Sequence, residues 1–166
     1  MVEAWETQRR EILVFEVGGR CYGLPACDVR ELLRAVAILP LPLAPQGFEG
    51  VINLRGTVVA VLDLRARLGL MPRPIEPSDH LVVLQGDHLL VAVRIDRALE
   101  LATLEVASPH PGRSVGAATR DDPGAVAKQG DRLIPLLDVR ALVTPAHEAE
   151  IRTALTDPDE PGEPGP

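Results

Sequence analysis

Residues 48–70 read FEGVINLRGTVVAVLDLRARLGL. Within this stretch the runs 51–54 and 57–62 are rich in Val, Ile and Leu, a composition that suits β-strands. Only Arg55-Gly56 separates the two runs, and a two-residue connection that contains glycine is typical of a tight hairpin turn. The stretch therefore predicts an antiparallel hairpin with Arg55 in its turn.

A short helix is predicted directly after this hairpin. Asp63 is a favourable N-cap residue, and Leu64 and Leu68 recur at helical spacing. Gly69 follows at the point where a left-handed residue commonly ends a helix. The hairpin and the capped helix together form one local unit.

The same unit occurs a second time along the chain. Residues 57–68 (TVVAVLDLRARL) align with residues 132–143 (RLIPLLDVRALV), and residues 13–28 (LVFEVGGRCYGLPACD) align with residues 81–96 (LVVLQGDHLLVAVRID). Each alignment matches aspartate with aspartate, and the second also matches a hairpin glycine with a hairpin glycine. A duplicated β-rich unit of this size supports only a marginal core by itself. The repeat therefore predicts two small barrels packed against each other.

A second short helix is predicted before the quoted stretch. Val29, Leu32 and Leu33 recur at i, i+3 and i+4, the spacing of one helix face. If Glu31 on this helix meets Arg55 in the turn, the carboxylate would orient the guanidinium for a protein partner. The alternative is an ordinary surface ion pair, which contributes about 0–1 kcal/mol.

The ends of the chain differ in composition from its middle. Residues 145–155 predict a C-terminal helix, because Thr144 can cap it and Pro145 suits its first position. The acidic, Pro- and Gly-rich tail is predicted to be disordered. The predicted organisation is a flexible arm at 1–10, one domain at 11–145 with subdomains at about 11–70 and 80–143, the helix at 145–155 and the tail at 156–166.

Composition excludes several classes of protein. The chain has 166 residues, of which 2% are aromatic, and a formal net charge of −7. Single-stranded nucleic acid is bound through aromatic platforms and basic grooves, so this class is disfavoured. No apolar run approaches the ~20 residues of a membrane span, and residues 1–10 lack the apolar core of a signal peptide. A soluble cytoplasmic protein is predicted, with no membrane insertion.

Catalytic chemistry has little support in the sequence. Asp63 and Asp138 are related by the repeat, which raises the hypothesis of an aspartate-dependent hydrolase whose two carboxylates share a proton. Each precedes a helical apolar pattern, however, and N-capping explains both. Cys21 and Cys27 lack the spacing of a metal site, and no phosphate-binding loop or nucleophile elbow is present. The sequence predicts no catalytic residue, no metal and no cofactor.

At this point a family resemblance becomes specific. GVINLRG at 50–56, followed by VLDLR at 61–65, resembles the signature of the CheW family of chemotaxis coupling proteins. YGL at 22–24 and VREL at 29–32 resemble the opening segment of that family. LLDV at 136–139 resembles its closing motif.

The resemblance implies a mainly β fold of two intertwined five-stranded SH3-like barrels, with short helices and a C-terminal helix. It implies a non-catalytic adaptor that couples the cytoplasmic tips of methyl-accepting chemoreceptors to the regulatory domain of a CheA-type histidine kinase. The receptor tip would dock as a helix in a groove between the barrels. The protein would be cytoplasmic and recruited to membrane receptor arrays. The alternative is an adaptor of the same family in a non-flagellar pathway, such as surface motility or gene regulation.

The resemblance also implies which residues take part in binding. The positions that match family residues tied to receptor or signalling contacts are Val29, Glu31, Asn53, Arg55 and Gly56. Among these, Glu31 and Arg55 match a Glu–Arg pair of the family.

Overall fold

Strands dominate the computed structural model, which describes residues 6–35, 37–41, 46–108 and 124–155. A single 3-10 turn, Ala26–Asp28, follows the second strand. The strands and α-helices of these residues are β1 (Glu6–Val17), β2 (Arg20–Pro25), β3 (Val29–Arg34), β4 (Phe48–Leu54), β5 (Thr57–Leu62), α1 (Leu64–Arg67), β6 (His80–Gln85), β7 (Leu90–Ile95), β8 (Arg97–Ser108), β9 (Val126–Gln129), β10 (Arg132–Pro135), α2 (Val139–Leu142) and α3 (Pro145–Leu155).

The strands form two five-stranded sheets, and each sheet closes on itself. The first has the order β10-β9-β8-β1-β2, and the second has the order β3-β6-β7-β5-β4. In the first sheet the edges meet at a bridge between Gly23 and Leu136. In the second sheet, Leu39 and Val51 exchange two backbone hydrogen bonds of 2.8 Å. We call the closed sheets the first barrel and the second barrel.

Each barrel combines strands from both halves of the sequence. The first barrel joins the hairpin β1–β2 to β8, β9 and β10, whereas the second joins the hairpin β6–β7 to β3, β4 and β5. The mainly β prediction with two five-stranded units is confirmed. The predicted boundaries at 11–70 and 80–143 separate the two sequence repeats, but they do not separate the barrels, because the repeats exchange their first hairpins.

The central strands are buried on both faces, which explains their continuous apolar runs. Along β5, Val59 and Val61 point into the second barrel, and Ala60 and Leu62 point into the space between the barrels. This space holds the largest core. Its members from the first barrel are Leu13, Phe15, Val17, Tyr22 and Leu24, and from the second Ala60, Leu62, Val82, Leu84, Val91, Val93 and Ile95.

The C-terminal helix packs against the same core. Helix α3 occupies the predicted range, and the Thr144 hydroxyl accepts a hydrogen bond of 3.2 Å from the His147 backbone N–H. Ile151 is 2% exposed and contacts the inter-barrel core, against which Leu155 also packs. The prediction of a capped C-terminal helix is confirmed.

The helix predicted around Val29 is wrong, because residues 29–34 form strand β3. This strand pairs with β6, and a bulge interrupts the register between Val29 and Glu31. Burial alternates along β3, but Glu31 takes a half-buried position and Leu32 an exposed one, so the apolar residues do not follow this alternation and their spacing resembles a helix. A helix of six residues gains little by itself in water, whereas pairing with β6 satisfies the backbone of one strand edge.

The predicted flexible arm at 1–10 is also wrong in part. Residues 6–10 belong to β1, where Glu6–Arg10 pair with the far end of β8 from Ser108 to Leu104. The polar composition of residues 7–10 reflects their exposed position on the barrel. The tail at 156–166 and the segment 109–123 lie outside the described residues.

Candidate functional site

Arg55 occupies a strained position in the β4–β5 turn. Leu54 pairs with Thr57, so the loop has two residues, and φ is 50° at Arg55 and 86° at Gly56. Two positive φ angles define the mirror-image turn that prefers Asn-Gly. Among the described residues, Arg55 is the only non-glycine with a positive φ. Such backbone strain costs of order 1 kcal/mol and is often retained at binding sites.

Glu31 holds the Arg55 side chain. One guanidinium nitrogen, Nη1, donates a 3.0 Å hydrogen bond to Oε2 of Glu31, and Nη2 donates a second one to Oε1. The Arg55 side chain is 73% exposed, whereas that of Glu31 is 27% exposed. The hydrogen bonds and the charge of Glu31 raise the pKa of Arg55 above its ordinary value. The pair is a two-pronged contact that fixes the direction of an exposed cation.

Asn53 supports the same turn from within β4. Its Oδ1 accepts a hydrogen bond of 2.8 Å from the backbone N–H of Gly56. The structure thus brings together four of the five predicted site residues, and we call Glu31, Asn53, Arg55 and Gly56 the arginine turn. The fifth, Val29, lies at the start of β3 and packs against the inter-barrel core.

Two exposed apolar side chains belong to the strands next to the arginine turn. Leu32 follows Glu31 in β3 and is 41% exposed, and Val58 lies opposite Asn53 in the β4–β5 pairing and is 51% exposed. An oriented and exposed arginine is typical of protein–protein contact surfaces, where arginine is enriched. The geometry suits docking to another protein.

A network of arginines and carboxylates lies next to the second barrel and was missed from the sequence. Arg94 of β7 is 8% exposed and donates to Glu49 through Nη2 at 2.5 Å and Nε at 3.2 Å. It also donates to Asp79 at 3.3 Å and to the carbonyl oxygen of Arg73 at 2.7 Å. Burial raises the pKa of Glu49, although the hydrogen bond and charge of Arg94 act in the opposite direction.

Arg73, which lies in the connector at 71–79, extends this network. Its Nη2 lies 2.6 Å from Asp79 and 2.8 Å from Asp96. Arg65 also donates to Asp96, at 2.7 and 2.8 Å. Because the Gly18 N–H of the first barrel donates to Asp96 at 2.9 Å, the network ties the two barrels together. We call Arg65, Arg73, Arg94, Glu49, Asp79 and Asp96 the arginine clasp.

The charges of the clasp shift the pKa of its members. Burial would raise the pKa of Asp96, but hydrogen bonds from Arg65, the Gly18 N–H and Arg73 outweigh burial and lower it. The hydrogen bond to Asp79 raises the pKa of Arg73 above its usual range. The stability that Asp96 contributes is present above its unfolded pKa and is lost as the pH falls through its lower folded pKa.

Asp63 and Asp138 are N-caps, as predicted. Asp63 accepts a hydrogen bond of 3.1 Å from the Ala66 N–H, and Asp138 accepts one of 3.0 Å from the Arg140 N–H. Burial raises the pKa of Asp138, and the neighbouring carboxylate that raises it further is Asp28. The geometry therefore gives no support to a hydrolase in which Asp63 and Asp138 share a proton.

We expect the Asp63→Ala variant to lose about 1 kcal/mol of unfolding free energy, because the cap of α1 is removed. This loss corresponds to a fall of about 2–4 °C in melting temperature for a chain of this size. Thermal denaturation followed by circular dichroism measures it. Asp63→Asn is the matched control, since asparagine caps equally well. An equal loss in both variants would show that the charge of Asp63, and not its cap, stabilises the protein.

No group of three or more His, Cys, Asp or Glu side chains in residues 6–35, 37–41, 46–108 and 124–155 has an arrangement that could hold a metal ion. None of the helices in these ranges is long and apolar enough to cross a membrane.

Residues 11–146 match the family model described as a CheW-like domain. The chain is 30% identical over 135 residues to the probable chemotaxis protein CheW of Rhizobium etli, covering 80% of this chain and 86% of the relative. It is 33% identical over 144 residues to protein FrzA of Myxococcus xanthus, covering 86% and 90%. The crystal structure of the scaffolding protein TtCheW from Thermoanaerobacter tengcongensis superposes with a TM-score of 0.69 at 24% identity, covering 84% of this chain and 96% of that one.

Proposed function

The chain belongs to the CheW family, and from this premise we propose that it is a non-catalytic adaptor in chemotaxis-like signal transduction. Its partners would be the regulatory domain of a CheA-type histidine kinase and the cytoplasmic tip of a methyl-accepting chemoreceptor. The observation that carries the proposal is the arginine turn, in which a strained and exposed Arg55 is held by Glu31.

The proposal assigns recognition to the arginine turn. Packing of the Arg55 side chain does not compensate the strain of its positive φ, because this side chain is largely exposed. A partner that accepts hydrogen bonds from this guanidinium would account for the retained strain. Glu31 and Asn53 are positioning residues in this proposal, because they hold the arginine and the turn.

The burial of the central strands on both faces also agrees with an adaptor. The core between the barrels fixes their relative position, so that surfaces on both barrels are presented as one rigid body. A scaffold that links two proteins needs such rigidity, because flexible docking surfaces lose affinity when they become ordered. In this proposal the protein acts in the cytoplasm, at the receptor arrays.

A direct binding assay tests the proposed function. The full-length chain would be titrated against the purified regulatory domain of a CheA-type kinase and against a receptor cytoplasmic fragment, both from the same genome. We expect micromolar affinity for each partner and no turnover of either. A chain that ends at Leu155 measures whether the acidic tail contributes. Absence of binding to both partners at about 100 μM, where a complex of even modest affinity forms, would refute the proposal.

A second candidate concerns only the pathway. One relative at 33% identity is called FrzA and not CheW, so the names of the relatives do not agree on one system. The same adaptor chemistry would serve a non-flagellar pathway with its own kinase and receptor. Deletion of the gene separates the two candidates, since loss of swimming chemotaxis favours the first and loss of surface motility or gene regulation favours the second.

A further inference from the structure

The sequence repeat places two equivalent polar sites in the fold. Each repeat contains an Asp-x-Arg motif at the start of a short helix, and its arginine faces the aspartate that follows a barrel hairpin. In one site the arginine is Arg65 and the aspartate is Asp96. In the other site the charge of Arg140 acts on Asp28. It opposes the burial that raises the pKa of that carboxyl group. The two sites occupy the same position in the cyclic strand order of their respective barrels.

The site at Asp96 is filled by a third residue. Arg73 from the connector places Nη2 2.8 Å from Asp96 and 2.6 Å from Asp79. The tip of the opposite hairpin closes the site, because the Gly18 N–H donates to Asp96. The complete arrangement is a guanidinium held between two carboxylates beside a hairpin turn.

The site at Asp28 shares the aspartate after a hairpin and the bordering hairpin tip, but its second carboxylate is Asp138, the repeat partner of Asp63, where the first site has Asp79. A cavity of about 450 Å³ lies there, and its lining includes Asp28, Asp138, Arg140, Arg10 and Gly86. Gly86 is the hairpin residue that the repeat matches with Gly18, so the tip of a hairpin borders this site as well. Among the described residues, no cation forms a salt bridge with Asp28 or Asp138. The Asp28 side chain accepts a hydrogen bond from the Cys27 thiol, and the Asp138 side chain accepts one from the Arg140 N–H.

The difference between the two sites follows from the chain that leaves each short helix. After α1 the connector 71–79 returns Arg73 to Asp96. After α2 the chain enters α3, which packs on the inter-barrel core and inserts the buried Glu148 towards the β6–β7 turn. The second repeat therefore supplies no equivalent of Arg73 from this part of the chain.

We propose that the cavity at Asp28 and Asp138 binds the guanidinium group of an arginine side chain supplied by another protein, with Asp28 receiving it as Asp96 receives Arg73 at the related site. The presence of Arg10 and Arg140 does not oppose such a ligand, because Arg73 lies in a clasp that already contains Arg65 and Arg94. Two carboxylates side by side suit the planar fork of arginine better than the single ammonium of lysine.

The electrostatics of the cavity agree with this assignment. Burial raises the pKa of Asp28 and outweighs the charges of Arg140 and Arg10, which act in the opposite direction. Burial also raises the pKa of Asp138, and the charge of Asp28 raises it further. Partly buried carboxylates that repel each other gain when a cation binds between them. The related Asp96, which has its cations in place, has a lowered pKa instead.

This inference goes beyond the proposed function, because the cavity is separate from the arginine turn and its test needs neither signalling partner. The ¹⁵N-labelled full-length chain would be titrated with N-acetyl-arginine amide and followed by NMR. We expect chemical-shift changes that saturate at the amides of Asp28, Gly86 and Arg140. The citrulline analogue, which has the same shape without the charge, should bind at least about tenfold more weakly, since charged hydrogen bonds are the stronger ones. The lysine analogue should also bind more weakly than the arginine compound.

Two variants locate the site. Asp28→Asn is expected to weaken binding of N-acetyl-arginine amide by about tenfold or more. Its melting temperature should stay equal or rise, because a partly desolvated charge is removed. Asp131→Asn, in the exposed β9–β10 turn, is the charge-matched control and should bind like the parent protein. Equal binding of the citrulline compound, unchanged binding by Asp28→Asn, or shifts confined to another surface would each overturn the proposal.

Discussion

Replacing Asp79 by alanine is expected to lower the free energy of unfolding by about 3–5 kcal/mol, the usual cost of breaking a buried ion pair from one side. Asp79 is 1% exposed and accepts hydrogen bonds from Arg73 at 2.6 Å, from Arg94 at 3.3 Å and from the Glu76 N–H at 2.9 Å. Its removal leaves the buried Arg94 with one carboxylate and frees the connector from the second barrel. Urea denaturation followed by circular dichroism measures the loss.

Glu76→Ala is the matched control for this prediction. Glu76 binds the same Arg73 at 3.0 Å, but its side chain is 57% exposed. An exposed pair contributes about 0–1 kcal/mol, so this variant should remain close to the parent protein. Similar losses in both variants would show that burial does not set the contribution of the clasp.

We expect Arg55→Glu to weaken binding to the receptor fragment or the kinase domain by at least about tenfold while the protein stays folded. The substitution places two carboxylates opposite each other at an exposed turn and reverses the charge that a partner would meet. Isothermal titration measures the affinity, and thermal denaturation verifies the fold. Unchanged affinity for both partners would remove Arg55 from the proposed site.

Arg55→Asn separates recognition from turn stability. Asparagine followed by glycine is the preferred pair for a turn with two positive φ angles, so this variant should be at least as stable as the parent protein. The same variant should lose affinity, because it lacks the guanidinium that Glu31 orients. The double variant Glu31→Arg, Arg55→Glu keeps an ion pair with the opposite polarity. Its failure to restore binding would support contact between Arg55 and the partner.

Local features were predictable because their causes lie within a few residues. The hairpin at 48–62, the capped helix after Asp63 and the helix at 145–155 follow from turn residues, caps and apolar spacing that are contiguous in the chain. The contact between Glu31 and Arg55 was implied only by the family resemblance, and the pair is found. The element that carries Glu31 was predicted wrongly, since the apolar residues of β3 do not follow its alternating burial.

Features that depend on distant partners were not predictable in the same way. Nothing in residues 71–79 indicates that Arg73 would reach both Asp79 and Asp96, since prolines and charges in a connector are typical of exposed loops. The strand at 6–10 exists because β8 extends alongside it. An apolar pattern shows that a segment is buried, but it does not show which strand lies beside it.

The sequence by itself determined that the protein is a duplicated β-rich chain with capped helices and an arginine in a tight turn, because turns, caps and periodicity are properties of neighbouring residues. Only the tertiary structure decided that the repeats exchange hairpins, that one Asp–Arg site is filled by Arg73 and that its counterpart at Asp28 is open. The physical reason is that both repeats contain the same motif, and the difference arises from the path of the chain after each helix. That path is set by packing against the inter-barrel core, to which residues from the whole chain contribute.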